Sequence, residues 1–413
     1  MTRSPGHGDR LAPHLWHLDP DVAHLNHGSY GAVPIPVMDA QLRIARAVER
    51  SPEAFYRARL APAIEEVRTV VARFLGADPE GLALVQNATE AAQVVLETVD
   101  LAPGDEVVGT DHSYPWVRAA IERACAERGA RARFVSIPVG SDGAVDTSAF
   151  VAAILDSVSE RTALVALDQI TSASALRLPV EQVLDALASD VPVMVDGAHA
   201  PGLIDCPARL GATFWLGNLH KWAFAPRTAA ALVVAPTYRE RVRPLVESAR
   251  LTDGYPRAFD YLGTQDVSAF LALPDALAFP EDHLGLDFAA LRERNRGVLA
   301  AGLERVASYL AAEPAPDNGL PMRTFTWGRD GGHSSEHRVD HIGGYVGDHF
   351  GAPTGDHAAA ARLTTRLRDE GVEVAIVSIA GRLHARVSAQ AYVAIEDFDR
   401  LGAVLARSLQ EAS

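Results

Sequence analysis

Through the middle of the chain, short apolar runs alternate with amphipathic segments of helical length. Leu82-Ala-Leu-Val-Gln86, Glu106-Val-Val-Gly-Thr110, Ala132-Arg-Phe-Val-Ser136, Thr162–Asp168 and Val193-Met-Val-Asp196 are short, mainly aliphatic runs, which predicts buried strands. Between them, 88–100, 115–128, 147–157 and 179–189 have helical length. Pro115 and Pro179 stand near two of the starts, where a missing N–H costs nothing. Strands separated by helices predict βαβ crossovers and a mainly parallel sheet, of a seven-stranded type, covered on both faces. Two further apolar runs, Thr213–Leu216 and Ala229–Val234, bracket residue 221 and put it in a turn beside that sheet. Residues 270–310 read as helical, and 318–395 as a mixed segment with strands near 372–378 and 383–388. The expected organisation is a large α/β domain over 25–270 and a smaller α+β C-terminal domain over 271–413. A segment over 1–24 is expected to pack on the smaller domain. Gly331–Gly355, rich in Gly, His and Asp, predicts an extended loop.

Composition narrows the function classes. The 413 residues are 48% hydrophobic and 22% charged, enough for two domains with a substantial core. A net charge of −15 argues against a nucleic-acid partner, since affinity for a phosphate backbone comes from clustered cations. No apolar stretch is long enough for a membrane span. Two cysteines, Cys125 and Cys206, cannot build a disulfide framework, and the first residues lack a signal-peptide pattern. A cytoplasmic protein is expected.

Lys221 is the one lysine among 38 cationic side chains. Lysine, unlike arginine, loses its proton readily when desolvated and can then form a Schiff base with a carbonyl. Upstream, the apolar run Val193–Asp196 ends in an aspartate and is followed by Gly197-Ala-His-Ala-Pro-Gly202. An acid at the carboxyl end of a parallel strand sits where open α/β sheets bind ligands. A Schiff-base lysine and an aspartate able to hold a pyridinium nitrogen protonated are the two groups pyridoxal phosphate demands. Donors for its phosphate are available at Gln86-Asn-Ala-Thr-Glu90, a strand-to-helix turn, and at Asn218 and His220. Free N–H groups at such a turn meet anions, although Asn or Thr before a helix also serves as a plain cap. An aromatic cover for the ring is expected from Asp111-His-Ser-Tyr-Pro-Trp116, with Tyr114 the choice and core packing the alternative.

Together these residues resemble the class V aminotransferase family of fold-type I pyridoxal-phosphate enzymes, most closely its isopenicillin N epimerase-like branch. The resemblance runs from Leu25-Asn-His-Gly-Ser-Tyr-Gly-Ala-Val-Pro34 through Asn87–Ala91, Val195–Gly202 and Gly217–Trp222 to Gly263-Thr-Gln-Asp266, Ala385-Arg-Val-Ser388 and Tyr392. It implies Lys221 as the Schiff-base lysine, Asp196 as the pyridinium partner and His199 near the phenolic oxygen. It further implies Ala88, Thr89, Ser172, Asn218 and His220 around the cofactor, with Thr264 supplied by the second subunit of a homodimer. Arg386 is expected to clamp the carboxylate of an amino-acid substrate. His27, Ser29, Tyr30 and Gln169 are expected around the substrate, and Phe55, Tyr56 and Arg57 as further contributors.

Both cysteines precede Lys221, unlike the reactive cysteine of desulfurase relatives, so persulfide chemistry is not expected. Many relatives carry His at the place of Gln169, and Gln transfers no protons at neutral pH. That ranks epimerisation, which wants a second acid–base group, behind β-elimination or decarboxylation-coupled oxidative deamination of a bulky S-substituted cysteine, a reaction of antibiotic biosynthesis in related enzymes. A non-catalytic binder of the cofactor or of an amino acid is the alternative of another class. His333, His337 and His341 are spaced four apart, but the glycines around them argue against one helical face, and no metal is expected.

Overall fold

The computed structural model describes residues 8–140, 143–187, 191–247, 250–327, 356–379 and 381–411. Its centre is a seven-stranded sheet in the order β2 (Leu82–Val85), β8 (Ala230–Val234), β7 (Phe214–Asn218), β6 (Val193–Asp196), β5 (Thr162–Asp168), β3 (Glu106–Thr110), β4 (Arg131–Val135). The run from β7 to β4 is parallel, and β8 alone is antiparallel to both its neighbours. Each strand expected in this sheet is present to within two residues. The predicted helices appear as Ala88–Thr98, Pro115–Arg128, Thr147–Ser157 and Val180–Ala186.

Alternation along the strands divides the sheet's side chains between two apolar layers. Leu164, Ala166, Met194, Phe214 and Leu216 pack with Ala91, Val95, Val117 and Ile121 of the first two of these helices. Val165, Leu167, Val193, Val195 and Trp215 pack with Phe150, Ile154, Val180 and Val183 of the other two and with Val71 and Leu75 of the helix Leu60–Leu75. The Trp215 ring covers the backbone of its own strand: a Cβ at Gly217 would lie 2.2 Å from the indole, and one at Gly197 2.6 Å from it.

A second, antiparallel sheet has the order β12 (Ala375–Ile379), β13 (Arg382–Ser388), β10 (Met322–Trp327), β9 (Ala312–Pro314). The sequence pattern predicts strands near β12 and β13 but not β9 or β10. The helices Phe288–Tyr309 and Glu396–Glu411 meet closely at Gly302, where a Cβ would fall 2.3 Å from the Phe398 ring. The N-terminal segment is bound to this part of the molecule. Arg10 pairs with Asp397 at 2.6 Å, Leu11 N–H donates to Ala391 O, and β1 (Ala23–His24) pairs in parallel with β11 (Val372–Glu373). The predicted loop at 331–355 and its histidines lie outside the described residues.

One buried ion pair ties the large sheet's edge to the loop that carries Thr264. Arg68 donates to Asp260 at 2.5 Å and to the Leu82 carbonyl at 2.7 Å, with both charged side chains out of solvent. Removing one partner strands the other charge. Arg68→Leu is therefore expected to lower unfolding free energy by about 3–5 kcal/mol, read as a drop in the denaturant midpoint at unchanged slope. The double variant Arg68→Leu/Asp260→Leu should recover part of that loss.

Candidate active site

Four chain segments converge on the turn that follows β7. Leu219 and His220 both donate their N–H groups to the Ala229 carbonyl, which folds the turn back toward β8. Two glycines let other loops touch it. Gly31 (φ +69°) lies where a Cβ would come 2.6 Å from the His220 carbonyl oxygen, and Gly202 (φ +86°) where one would come 2.6 Å from that of Trp222. Both are backbone positions that L side chains rarely adopt.

Lys221 Nζ lies 3.2 Å from His199 Nε2. His199 Nδ1 accepts the Trp222 indole N–H at 3.4 Å, which leaves the imidazole's proton on Nε2, facing the amine. Burial lowers the Lys221 pKa to about 7, the Arg386 charge adds to the fall and Asp196 opposes it. Burial also holds His199 well below its usual range, helped by the charges of Lys221 and Arg386. At neutral pH a large fraction of Lys221 is thus a free amine, accepting from a neutral imidazole.

Asp196 ends β6, is buried, and accepts the Ala198 N–H at 2.9 Å. In register beside it on β5 stands Asp168, a residue that the sequence marks only as a strand end. Burial raises the pKa of both, and the neighbouring Asp196 charge pushes Asp168 further, well above the usual range. Asp168 accepts from the Ser113 hydroxyl and the Tyr114 N–H. The signal that could have found it is the one that found Asp196, an acid at the carboxyl end of a parallel strand.

The start of helix Ala88–Thr98 abuts the end of β7. Ala88 N–H donates to Asn218 Oδ1 at 2.9 Å, Glu90 N–H to the Asn87 cap at 2.9 Å, and Gln86 N–H to Glu90 at 2.8 Å. Among the described residues, the N–H and hydroxyl of Thr89 and the Asn218 Nδ2 have no protein partner. His220 uses Nδ1 on the Ala229 peptide, leaving Nε2. Burial, reinforced by the Lys221 charge, takes its pKa to about 4, so it is neutral. A helix start with uncommitted donors, a buried carboxylate and a free amine fit the phosphate, ring nitrogen and aldehyde of pyridoxal phosphate.

The substrate-side expectations are redistributed. Arg386 is buried beside Lys221, and it donates to the Ser172 carbonyl, to Asn26 Oδ1 at 2.9 Å and to Ser29 Oγ at 2.7 Å. Ser29 and Ser172 therefore hold the arginine. Tyr30 is 69% exposed. His27 does not line a pocket: it is buried, with one nitrogen on Tyr392 and the other on the Lys221 carbonyl. Gln169 faces the opposite apolar layer, because its Oε1 accepts from Trp215 Nε1 at 3.1 Å and its Nε2 donates to the Pro207 carbonyl at 3.2 Å. The place of Gln169 therefore says nothing about acid–base chemistry at Cα. Tyr114 caps the helix Pro115–Arg128 and packs partly on the apolar layer, while His112, on the same loop, is buried against Ser174 at 2.6 Å. Thr264 lies exposed, its hydroxyl 3.4 Å from that of Tyr261. Phe55 is buried in the core, Tyr56 donates to the Gln265 carbonyl, and Arg57 pairs with Glu53 in solvent. Among the described residues no group of acids, histidines and cysteines is placed to hold a metal, and no helix is long and apolar enough to cross a membrane.

Residues 37–338 match the family model for class V aminotransferases. The chain is 32% identical over 316 residues to isopenicillin N epimerase of Amycolatopsis lactamdurans, a match covering 72% of this chain and 78% of that protein. It is 32% identical over 281 residues to putative L-cysteine desulfhydrase 2 of Oryza sativa subsp. japonica, covering 64% of this chain and 58% of the rice protein. Among solved structures, the cystine C–S lyase C-DES in complex with its product cysteine persulfide superposes with a TM-score of 0.73 at 18% identity, over 94% of this chain and 98% of that one. That likeness shows the shared fold. The chain belongs to the class V aminotransferases, pyridoxal-phosphate-dependent enzymes of fold-type I.

Proposed function

We propose that this enzyme is a carbon–sulfur lyase acting at Cα and Cβ of a bulky S-substituted cysteine, from which it expels the sulfur substituent by β-elimination. The observation that carries the reading is the single lysine, its amine held 3.2 Å from a neutral imidazole and its pKa lowered to about 7. When bound, pyridoxal phosphate supplies the aldehyde that this amine attacks and a ring that draws electrons from Cα. Asp196 would hold the ring nitrogen's proton, and His199 would serve the phenolic oxygen through Nε2–H. Thr89, Asn218 and His220 would take the phosphate beside Ala88, whose N–H is spent on Asn218, with Thr264 of a second subunit completing the site in a homodimer. Tyr114 and Ser172 would border the ring.

Arg386 offers a desolvated positive charge for the substrate carboxylate, oriented by Asn26, Ser29 and Ser172. The Lys221 amine would take the Cα proton, and the ammonium so formed would be the nearby donor for the departing thiolate. The electron pair of the broken Cα–H bond would become the Cα–Cβ double bond as the Cβ–S pair leaves on sulfur, and water would convert the released three-carbon enamine to pyruvate and ammonia. Elimination thus needs one acid–base group at Cα, whereas epimerisation needs two on opposite faces. Among the described residues, the hydrogen-bond partner of the Lys221 amine is His199, already committed to Trp222. Similarity to a desulfhydrase, which by name removes sulfur from cysteine, favours the same ordering. Epimerisation is the second reading, favoured by the 32% identity to isopenicillin N epimerase, which also supports a place in secondary metabolism.

Incubation with an S-alkyl cysteine should release thiol and pyruvate in equal amounts, with Lys221→Ala inactive. An inverted Cα with no thiol would establish epimerisation instead, and an aldehyde with carbon dioxide would establish decarboxylative deamination. Because Lys221 is the sole lysine, an amine-selective reagent followed by mass spectrometry reads its titration directly in the cofactor-free chain. The midpoint is expected near pH 7. Removing the negative charge in Asp196→Asn should lower it, and removing the positive charge in Arg386→Gln should raise it.

A further inference from the structure

Around the lysine the structure places a second histidine whose contacts reach the main chain rather than the amine. His27 Nδ1 lies 2.7 Å from the Tyr392 hydroxyl, and its Nε2 lies 3.1 Å from the Lys221 carbonyl oxygen. The ring packs against Trp222 at a centroid separation of 4.8 Å, with Phe224 at 6.2 Å and Tyr392 at 5.8 Å. The loop can approach this closely because its next residue is Gly28, where a Cβ would lie 2.7 Å from Met322 Sδ and 3.7 Å from His199 Cε1.

The hydrogen bonds choose the tautomer. A carbonyl oxygen has no proton, so the Lys221 carbonyl is satisfied only when Nε2 carries one. Nδ1 then accepts the Tyr392 O–H. The opposite tautomer would turn a lone pair on the Lys221 oxygen and leave it unsatisfied in a buried site. The Gln390 amide nitrogen also faces Nε2, at 3.4 Å, because Gln390 Oε1 is held by Asn295 and by the Ala391 N–H; the Lys221 carbonyl, at 3.1 Å, is the closer partner of Nε2. Burial and the Arg227 charge take the His27 pKa to about 3, so the neutral form persists throughout the working range.

We propose that His27 is a positioning residue, the middle of a chain Tyr392–His27–Lys221 that fixes the peptide from which the reactive amine projects. His199 holds the far end of the same side chain, so two neutral imidazoles hold Lys221 at its carbonyl and at its nitrogen. The lysine nitrogen is faced by His199, Asp196, Arg386 and His220, and His27 by Arg227, Tyr392 and Gln390. A loosened peptide lets the nitrogen drift out of that set of charges. The inference rests on the cofactor reading for its effect on turnover, but its effect on the lysine itself does not depend on it.

Three full-length variants test it. His27→Phe keeps an aromatic ring against Trp222 and removes the donor; His27→Gln restores an N–H near the position of Nε2; Tyr392→Phe removes the hydroxyl that fixes the tautomer. In the cofactor-free chain, the pH midpoint of Lys221 labelling should rise by about one unit in His27→Phe, rise less in Tyr392→Phe and return in His27→Gln. In the loaded protein, the pH midpoint of the cofactor's visible band should move, and kcat should fall by about tenfold or more with KM changed little. If His27→Phe does not fold, Tyr392→Phe carries the test. Unchanged labelling in folded His27→Phe and Tyr392→Phe, or equal loss in His27→Phe and His27→Gln, overturns the proposal. A chain with no visible band but shifted labelling would refute the cofactor reading and leave this one standing.

Discussion

A lysine amine that must be uncharged near neutrality has to leave water without meeting an acid close enough to bind it as ammonium. Moving its pKa from 10.5 to about 7 corresponds to a loss of on the order of 5 kcal/mol of solvation for the charged form. The surrounding fold has to sustain that loss. Here it does so with neighbours of the wrong charge for an ammonium: Arg386 adds a positive field, and both His199 and His220 are neutral. Asp196 tempers the effect without cancelling it. The same arrangement that frees the amine places beside it the buried cation proposed for a substrate carboxylate. One constraint serves both tasks.

The device that keeps these groups together is the loop 25–31. Asn26 and Ser29 hold the Arg386 guanidinium, His27 holds the Lys221 carbonyl, and Gly31 lies against the backbone of His220 and Lys221. Its entry is fixed by β1 on β11, and Ser388 N–H donates to Leu25 O. A segment near the start of the chain thus binds residues roughly 190 and 360 positions later. Its contacts are almost all long-range, so the site depends on both sheets being in place before the loop can close it.

The large sheet was legible because apolar runs of strand length and proline-started helices alternate without ambiguity, and because Lys221 and Asp196 fall at ends of such runs. β9 and β10 were not legible. β9 is a three-residue edge strand, and β10 mixes Arg323 and two threonines into its apolar positions. Family resemblance put Arg386 beside the lysine but could not say what orients it. Gln169 and Asp168 show the limit most clearly. They are adjacent in sequence, and a strand sends adjacent side chains to opposite faces. Leu167, Val195 and Trp215 share one layer, and Gln169 joins it through Trp215; Asp168 shares the other with Asp196. The resemblance singles out Gln169 because many relatives carry His there; counting parity from Asp196 instead puts Asp168 on the Asp196 side of the sheet.

That parity brings two carboxylates side by side, and two such groups out of water do not both ionise. Their partners decide which one does. Asp168 receives neutral donors, the Ser113 hydroxyl and the Tyr114 N–H, and no cation. Asp196 receives the Ala198 N–H and faces the Lys221 charge. Asp168 is therefore the more strongly held in its protonated form, and Asp196 the better placed of the two to carry the negative charge. This is the distribution that pyridoxal phosphate chemistry requires, since only an anionic carboxylate keeps the ring nitrogen protonated. A cationic ring bound against Asp196, as proposed, would strengthen the preference further, because it would stabilise the charge on the nearer carboxylate. Asp168, neutral, is left to hold the loop 111–114 against the end of β5, which is where the aromatic residues expected to cover the ring are carried.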